Sequence, residues 1–480
     1  MRLRRSLSCL LLAVTATGCM YHGNTPIAQA PTAFSVDNTT NPSINLPDHP
    51  WWQDIGSKEL NGLVVEALEN NRDVAIASKN IEIAQSSLDT VRLGWLPTIN
   101  LMAGRFNSDG LILLPNLPVP LAGTGNFFAF LPTWVANIIQ LPNQTRQAQK
   151  KVDITAADYL ALRASIAAQV VSSYALLLAS IEEDRILADL QKNVQSQLST
   201  TRAMTSQGLR TQIAINEQDS ELLKLQSQAA INQSNIIAAK NALLTLLGRP
   251  IEAFTPTATF NSLKLTHIAP GNTPASILAT RPDVAAARAK IEAADYGISS
   301  AASQFAPTLM LATANLSGNA SGGGESLSLT ETVQLGIATL SLNPQFIGQI
   351  NTANKQYDSA VINYLKTVDN ALKEVDNALA EFAAKQTMLV KEEQTLANSR
   401  QNLATYRAML SSGLLSETQY RQTATQFDLA NMAIVQAKLQ AIISLSKLYQ
   451  SMGGGTTYQQ ADYRLQDQSI VGIDREHTKD

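Results

Sequence analysis

The 480-residue chain is poor in cysteine, histidine and aromatic residues, and neither charge is in excess. It has two cysteines, and its four histidines, His22, His49, His267 and His477, are scattered, so no cluster has metal-ligand spacing. A disulfide scaffold and a zinc domain are excluded. The net charge of -3 offers no electrostatic footprint for nucleic acid. No run reaches the roughly 18 to 20 apolar residues of a membrane-spanning helix. There is no phosphate loop, no nucleophile motif and no paired histidine. The chain therefore reads as neither an enzyme nor a cofactor protein. What it has in quantity is Ala, Gln, Ser, Asn and Leu, the stock of long helices.

The N-terminus carries an address. Arg2, Arg4 and Arg5 precede an apolar stretch, Leu7 to Thr17, that is too short to serve as a spanning anchor. It ends in Ala16-Thr17-Gly18-Cys19, which resembles a bacterial lipobox, with residues 1–18 as the signal peptide and Cys19 as the lipidated (palmitate-bearing) residue. Ala16 stands where Leu is usual. Plain cleavage after Ala28-Gln29-Ala30 is the alternative. Met20, rather than Asp, after the cysteine favours the outer membrane. Residues 19–56 then form a tether and extended segment.

The remainder is written twice. Asp73-Val74-Ala75 and Ile81-Glu82 recur as Asp283-Val284-Ala285 and Ile291-Glu292, an offset of 210. Arg202-Ala203-Met204 and Gly208-Leu209 recur as Arg407-Ala408-Met409 and Gly413-Leu414, an offset of 205. The repeats are 57–250 and 281–455, with a linker at 251–280 and a polar tail at 456–480. Each begins with a helix (57–94, 282–304), followed by two alternating segments. A long helix comes next (149–206, 354–411), then a Gly-containing turn and a return helix (210–247, 415–451). At 1.5 Å per residue the longer helices make rods of roughly 90 Å. Leu389, Leu396, Leu403 and Leu410 keep a seven-residue step, a coiled-coil seam. Leu187, Leu190, Val194 and Leu198 form a looser seam in the first copy.

The alternating segments, about 98–107, 126–141, 308–317 and 327–341, read as membrane strands. In the last, Leu327, Leu329, Val333, Leu335 and Ile337 alternate with Ser, Thr, Gln and Gly. Leu335 is expected to face lipid and Gln334 the lumen. Phe127, Phe128, Phe130 and Trp134 are open to two readings, an interfacial girdle or packing inside a long loop. Four strands per chain cannot close a barrel. Open edges cannot face lipid, so the chain is expected to oligomerise. Two copies give eight strands and three give twelve.

The lipobox, Trp51-Trp52, Leu246-Leu247-Gly248-Arg249-Pro250, Arg281-Pro282-Asp283 to Pro307, and Met452-Gly453-Gly454-Gly455 together resemble the TolC-type outer-membrane efflux lipoproteins. These are the outer-membrane factors of tripartite efflux systems. The resemblance implies a mixed, mainly α fold. It also implies a homotrimer with a twelve-stranded transmembrane β-barrel and a periplasmic coiled-coil α-barrel, with an equatorial belt at 250–280. It implies passive conduction of small toxic compounds or drugs, with a periplasmic adaptor and an inner-membrane transporter as partners. Adaptor docking then falls to the tips, Arg202, Gly208 and Leu209 with Arg407, Gly413 and Leu414. Thr418 and Gln422 occupy the places of the family's Leu and Asp gate rings, which puts an acidic gate in doubt. Ala214 stands where an Asp is common, and Phe346-Ile347-Gly348 replaces a Gly-Gly turn. A type I protein-secretion duct and a pore-less structural periplasmic lipoprotein are the alternatives.

Overall fold

A computed structural model describes residues 50–265 and 274–454, apart from 110–111, 115–116, 120–121 and 323–324. Cys19, the signal peptide, the part of the linker at 266–273, and Gly455 with the tail lie outside the described residues. The elements are α1 (Lys58–Asn70), α2 (Arg72–Leu93), β1 (Thr98–Asp109), β2 (Ile112–Leu114), β3 (Leu117–Val119) and β4 (Ala122–Ala136). Then come α3 (Gln140–Ser206), α4 (Gln212–Leu246), α5 (Pro274–Thr280), α6 (Pro282–Ala302), β5 (Thr308–Gly322), β6 (Glu325–Thr339), α7 (Gln345–Ser411) and α8 (Glu417–Ser451). The duplication is metrically close: α3 and α7 are both 67 residues long, and α4 and α8 are both 35.

The chain forms two contact units, each built from several segments. The first holds the strands with the adjoining ends of α2, α3, α6 and α7. Its four long strands form one antiparallel sheet in the order β1-β4-β5-β6, so β1 and β6 are edges. Strand pairs define its faces. Leu101 lies opposite Phe130, Trp134 opposite Leu311, and Leu311 opposite Gly336. Gln334 therefore shares its face with Leu101, Phe130, Trp134 and Leu311, while Leu335 lies on the other. The polarity read from β6 alone does not extend across the sheet. Phe128, Phe130 and Trp134 lie within β4, not in a loop, and Trp134 Nε1 donates to Trp95 O at 2.8 Å.

Both long helices begin nine residues before the expected 149 and 354. The cause is local. Asn137 accepts hydrogen bonds from Ile139 N and Gln140 N, and Pro142 sits in the first turn, where its missing N–H costs nothing. Asn343 accepts similarly from Gln345 N. Phe346-Ile347-Gly348 is thus the first turn of α7, and a Cβ added at Gly348 meets nothing within 4 Å. The four strand–helix junctions abut one another. Asn137 Nδ2 donates to Ser303 O at 2.8 Å, and the Phe305 and Phe346 rings meet edge to face at 5.3 Å.

The second unit is helical. Its core joins Trp51, Leu60, Val64, Val170, Tyr174, Leu177, Leu243, Phe260 and Leu445, among others. Trp51 stacks on Tyr449 with ring centroids 4.7 Å apart. Full burial of one such side chain contributes about 1.5 to 3 kcal/mol. The seams hold. Leu187, Leu190, Val194 and Leu198 are buried, Leu389 is buried, and Leu396, Leu403 and Leu410 are half-buried between exposed neighbours. The linker is pinned at Glu59, which accepts from Tyr174 Oη at 2.7 Å and from Thr257 N and Ala258 N at 3.0 Å. Burial alone would raise the Glu59 carboxyl, but these hydrogen bonds outweigh it and hold it below its usual value.

The expected first helix is broken at Asn71, an extended residue between α1 and α2. Asn71 Oδ1 caps α2, accepting from Asp73 N at 2.8 Å, and its Nδ2 donates to Leu246 O at 2.8 Å. At the corresponding place in the second repeat stands Arg281, between α5 and α6. It donates to Ser451 O, to both oxygens of Asp283 and to Glu374 at 2.9 Å. Leu246 and Ser451 are themselves separated by the repeat offset. Each repeat thus ties the end of its return helix to the break before its strand-leading helix.

Candidate functional site

The two inter-helix tips share one backbone solution. Leu209 N donates to Met204 O and Leu414 N to Met409 O, both at 2.9 Å, and Gly208 and Gly413 have φ of 75 and 72°. This is a Schellman closure, which requires a left-handed residue just past the helix end. Nothing lies within 4 Å of a Cβ built on either glycine, so the demand is conformational and not steric. The return helices are then capped. Thr211 Oγ1 accepts from Ala214 N, and Ser416 forms a capping box with Gln419. Leu209 and Leu414 are 69% and 73% exposed, so each tip displays an apolar leucine to solvent. Arg202 bridges to Asp219 at 3.5 Å across the first hairpin. Arg407 is exposed, and the residue 205 positions after Asp219 is Ala424, so the second tip has no acid at that place.

Thr418 and Gln422 both lie in the first two turns of α8. Thr418 is half-buried, whereas Gln422 is exposed together with Gln419, Gln426 and Leu429. Glu417 pairs with Arg421 at 2.6 Å. Two turns further along is a cluster that the sequence did not single out. Asp428 Oδ2 accepts from Asn193 Nδ2 of α3 at 2.8 Å. Arg185 bridges Glu182 and Asp189 at 2.8 and 2.9 Å on the same stretch of α3. Burial, and then the charge of Asp189, push the Asp428 carboxyl up to about 6, against the Asn193 hydrogen bond and the charge of Arg185. Its only sequence signal was an acid on an otherwise uncharged stretch of α8, and its partner lies 235 positions away. Among the described residues no group of His, Cys, Asp and Glu is arranged to hold a metal.

The same overall fold recurs in known proteins. The family model described as "Outer membrane efflux protein" matches residues 63–249 and 273–454, one block in each repeat. The chain is 28% identical over 323 residues to the pyoverdine export outer membrane protein OpmQ of Pseudomonas putida, covering 65% of this chain and 67% of that one. It is 26% identical over 475 residues to the outer membrane protein OprJ of Pseudomonas aeruginosa, covering 94% and 95%. Among solved structures, the outer-membrane channel OprN superposes with a TM-score of 0.76 at 20% identity, covering 91% of this chain and 99% of OprN. The open state of the Neisseria gonorrhoeae MtrE outer membrane channel also gives 0.76, at 19% identity, covering 91% and 98%. The strand pairs, the paired long helices and the family match together show that this chain belongs to the outer membrane efflux protein family and is an outer-membrane efflux channel protein.

Proposed function

We propose that three copies close a twelve-stranded barrel and that this channel conducts small toxic compounds outward, passively. A periplasmic adaptor docks at the helical tips, and an inner-membrane transporter supplies the work. The observation that carries this reading is the open four-stranded sheet. Its edges, β1 and β6, have no partner strand among the described residues, and unpaired strand edges cost several kcal/mol per group in lipid. Pairing β6 of one copy with β1 of the next satisfies both edges at once. The exposed Leu209 and Leu414 supply apolar knobs for the adaptor, and a lipid on Cys19 adds a tether. The test is single-channel recording of the purified protein in a planar bilayer, with its mass in detergent. A trimer with stable conductance is expected, and a non-conducting monomer would overturn the proposal.

The gate proposal is more specific. With Gln422 and Gln426 exposed along α8 and no acid among them, a ring formed by three copies is neutral and closes by packing and hydrogen bonds. Gln422→Asp adds three negative charges to it. Conductance is then expected to become sensitive to divalent cations at low salt and to lose that sensitivity at high salt. Unchanged conductance and block place Gln422 outside the constriction. A protein-secretion duct stays as the second reading, because a relative 21% identical over 453 residues is named toxin and drug export protein A. Loss of drug tolerance in a deletion strain, with normal protein secretion, separates the two.

A further inference from the structure

The charges of the strand-bearing unit are ordered around its strand–helix junctions. No charged residue occurs in 93–104, 110–145, 296–324 or 332–354. These windows run past the strand ends into all four adjoining helices. On α3 the first charge is Arg146, about 9 Å into the helix, and on α7 it is Lys355, about 15 Å in. The uncharged shoulder displays Leu93, Trp95, Leu96, Ile138, Leu342 and Ile347, from 39% exposed at Trp95 to 77% at Leu342. Outward-facing apolar residues at helix ends, where polar side chains are the default, need a non-aqueous neighbour.

The polarity of the bordering ion pairs is ordered as well. Asp89–Arg92 on α2, Lys150–Asp153 on α3 and Lys355–Asp358 on α7 are each three residues apart, at 3.2, 3.2 and 3.0 Å. Helix α2 runs toward the strands, and α3 and α7 run away from them. In all three pairs the cation is therefore on the strand side and the acid on the far side. Arg146, exposed, comes before the pair on α3. On α6 the nearest charge is Asp295, which is half-buried and engaged within the protein. The exposed charges that border the apolar shoulder on α2, α3 and α7 are thus all cations.

We propose that this collar binds the phosphate groups of membrane lipids, with the acyl chains covering the uncharged shoulder. The membrane boundary then lies one to three helical turns beyond the strand ends. This rests on the outer-membrane reading above and gives it a lipid class and named residues. A cation close to an anionic membrane surface is drawn to it. An acid placed one turn further away keeps its partner's geometry and repels the headgroup less than one on the strand side would.

The test uses purified protein in detergent and the variant Arg92→Gln/Arg146→Gln/Lys355→Gln. Its thermal midpoint is measured with added phosphatidylglycerol, with a neutral phosphate-free galactolipid and with inorganic phosphate. Phosphatidylglycerol is expected to raise the wild-type midpoint more than the galactolipid does. The triple variant is expected to lose more than half of that difference, and inorganic phosphate is expected to do nothing. An undiminished difference in the variant, or an equal shift from inorganic phosphate, overturns the collar. Should the triple variant fail to fold, Arg92→Gln and Lys355→Gln, both at exposed sites, are measured singly against the same criterion. Conductance is recorded on the same preparations. If wild-type conductance is absent while the triple variant still loses the lipid difference, the channel reading fails and the collar stands. If conductance is intact and the difference is unchanged, the collar fails alone.

Discussion

The two repeats solve one problem with different chemistry. In the first, the break before the strand-leading helix is held by a neutral amide, Asn71, which caps α2 and reaches Leu246 O. In the second, the same place is held by a guanidinium. Arg281 reaches Ser451 O and is neutralised by Asp283 and Glu374. The glycines beyond the return helices differ too. A Cβ on Gly248 would come within 2.4 Å of Asn70 O, whereas on Gly453 it would meet nothing nearer than Thr280 O at 3.5 Å. In the second repeat the tight approach moves one residue on, where a Cβ on Gly454 would come within 2.2 Å of Ala164 Cβ. Duplication preserved which backbone groups must be satisfied, and each copy found its own side chains for the task.

The two repeats differ most in stability at the guanidinium. Removing Arg281 leaves the buried Ser451 carbonyl without its charged donor and ends the pairing with two solvent-accessible carboxylates, whereas removing Asn71 costs a cap and one hydrogen bond. Arg281→Ala is expected to lower stability by about 3 kcal/mol and Asn71→Ala by about 1 to 2 kcal/mol. Denaturant unfolding of the purified protein measures both, and equal losses would show that the charged node does no more than the amide.

The glycine pair gives the next effect. Gly248→Ala meets backbone oxygen and a positive φ together, so a loss of about 2 to 3 kcal/mol is expected. Gly453→Ala meets only the φ of 104°, for about 1 kcal/mol. Thermal midpoints of the two variants should separate in that order.

Asp428 sharpens the contrast between α8 and α4, since the residue 205 positions earlier is Leu223. A carboxyl whose folded pKa is raised to about 6 makes the native state favour its protonated form. Its contribution to stability is therefore highest at acid pH and declines as pH rises from the ordinary aspartate value through about 6. Asp428→Asn is expected to add about 1 kcal/mol at pH 7.5, with the shift discounted for the solvent screening of a half-buried group. At pH 4.5 the gain should shrink toward nothing. A pH-independent gain would mean that the effect is packing and not charge.

At the tips the two repeats are expected to behave alike. Gly208→Ala and Gly413→Ala each force an L-residue into the left-handed region with open space around it, so each should cost about 1 kcal/mol. Hydrogen exchange of the last helical turns is the readout, and a large difference between the tips would indicate that one of them is held by something other than its own backbone.

Much of the architecture was legible because it is periodic. The heptad leucines, the alternating strands and the Gly-Leu tips each encode local geometry, and local geometry repeats in sequence. The helix starts at Gln140 and Gln345 were missed because Pro142 and Pro344 look like breakers, and a first-turn proline is tolerated for a reason that only the hydrogen-bond pattern reveals. The gate candidates were placed by spacing alone, and the structure separates them, Thr418 half-buried and Gln422 exposed. The Asn193–Asp428 contact left no trace, because nothing local marks a pairing across 235 positions.

The amino-acid order alone carried the duplication, the order of the long helices and strands, and the expectation of a partner, since four strands with free edges cannot rest in lipid. The folded structure settled which residues share a face of the sheet, which acid sits beside which amide, and which groups Arg281 satisfies. Those are long-range facts. They depend on side chains from distant segments meeting at a few ångströms, where desolvation and hydrogen bonding act.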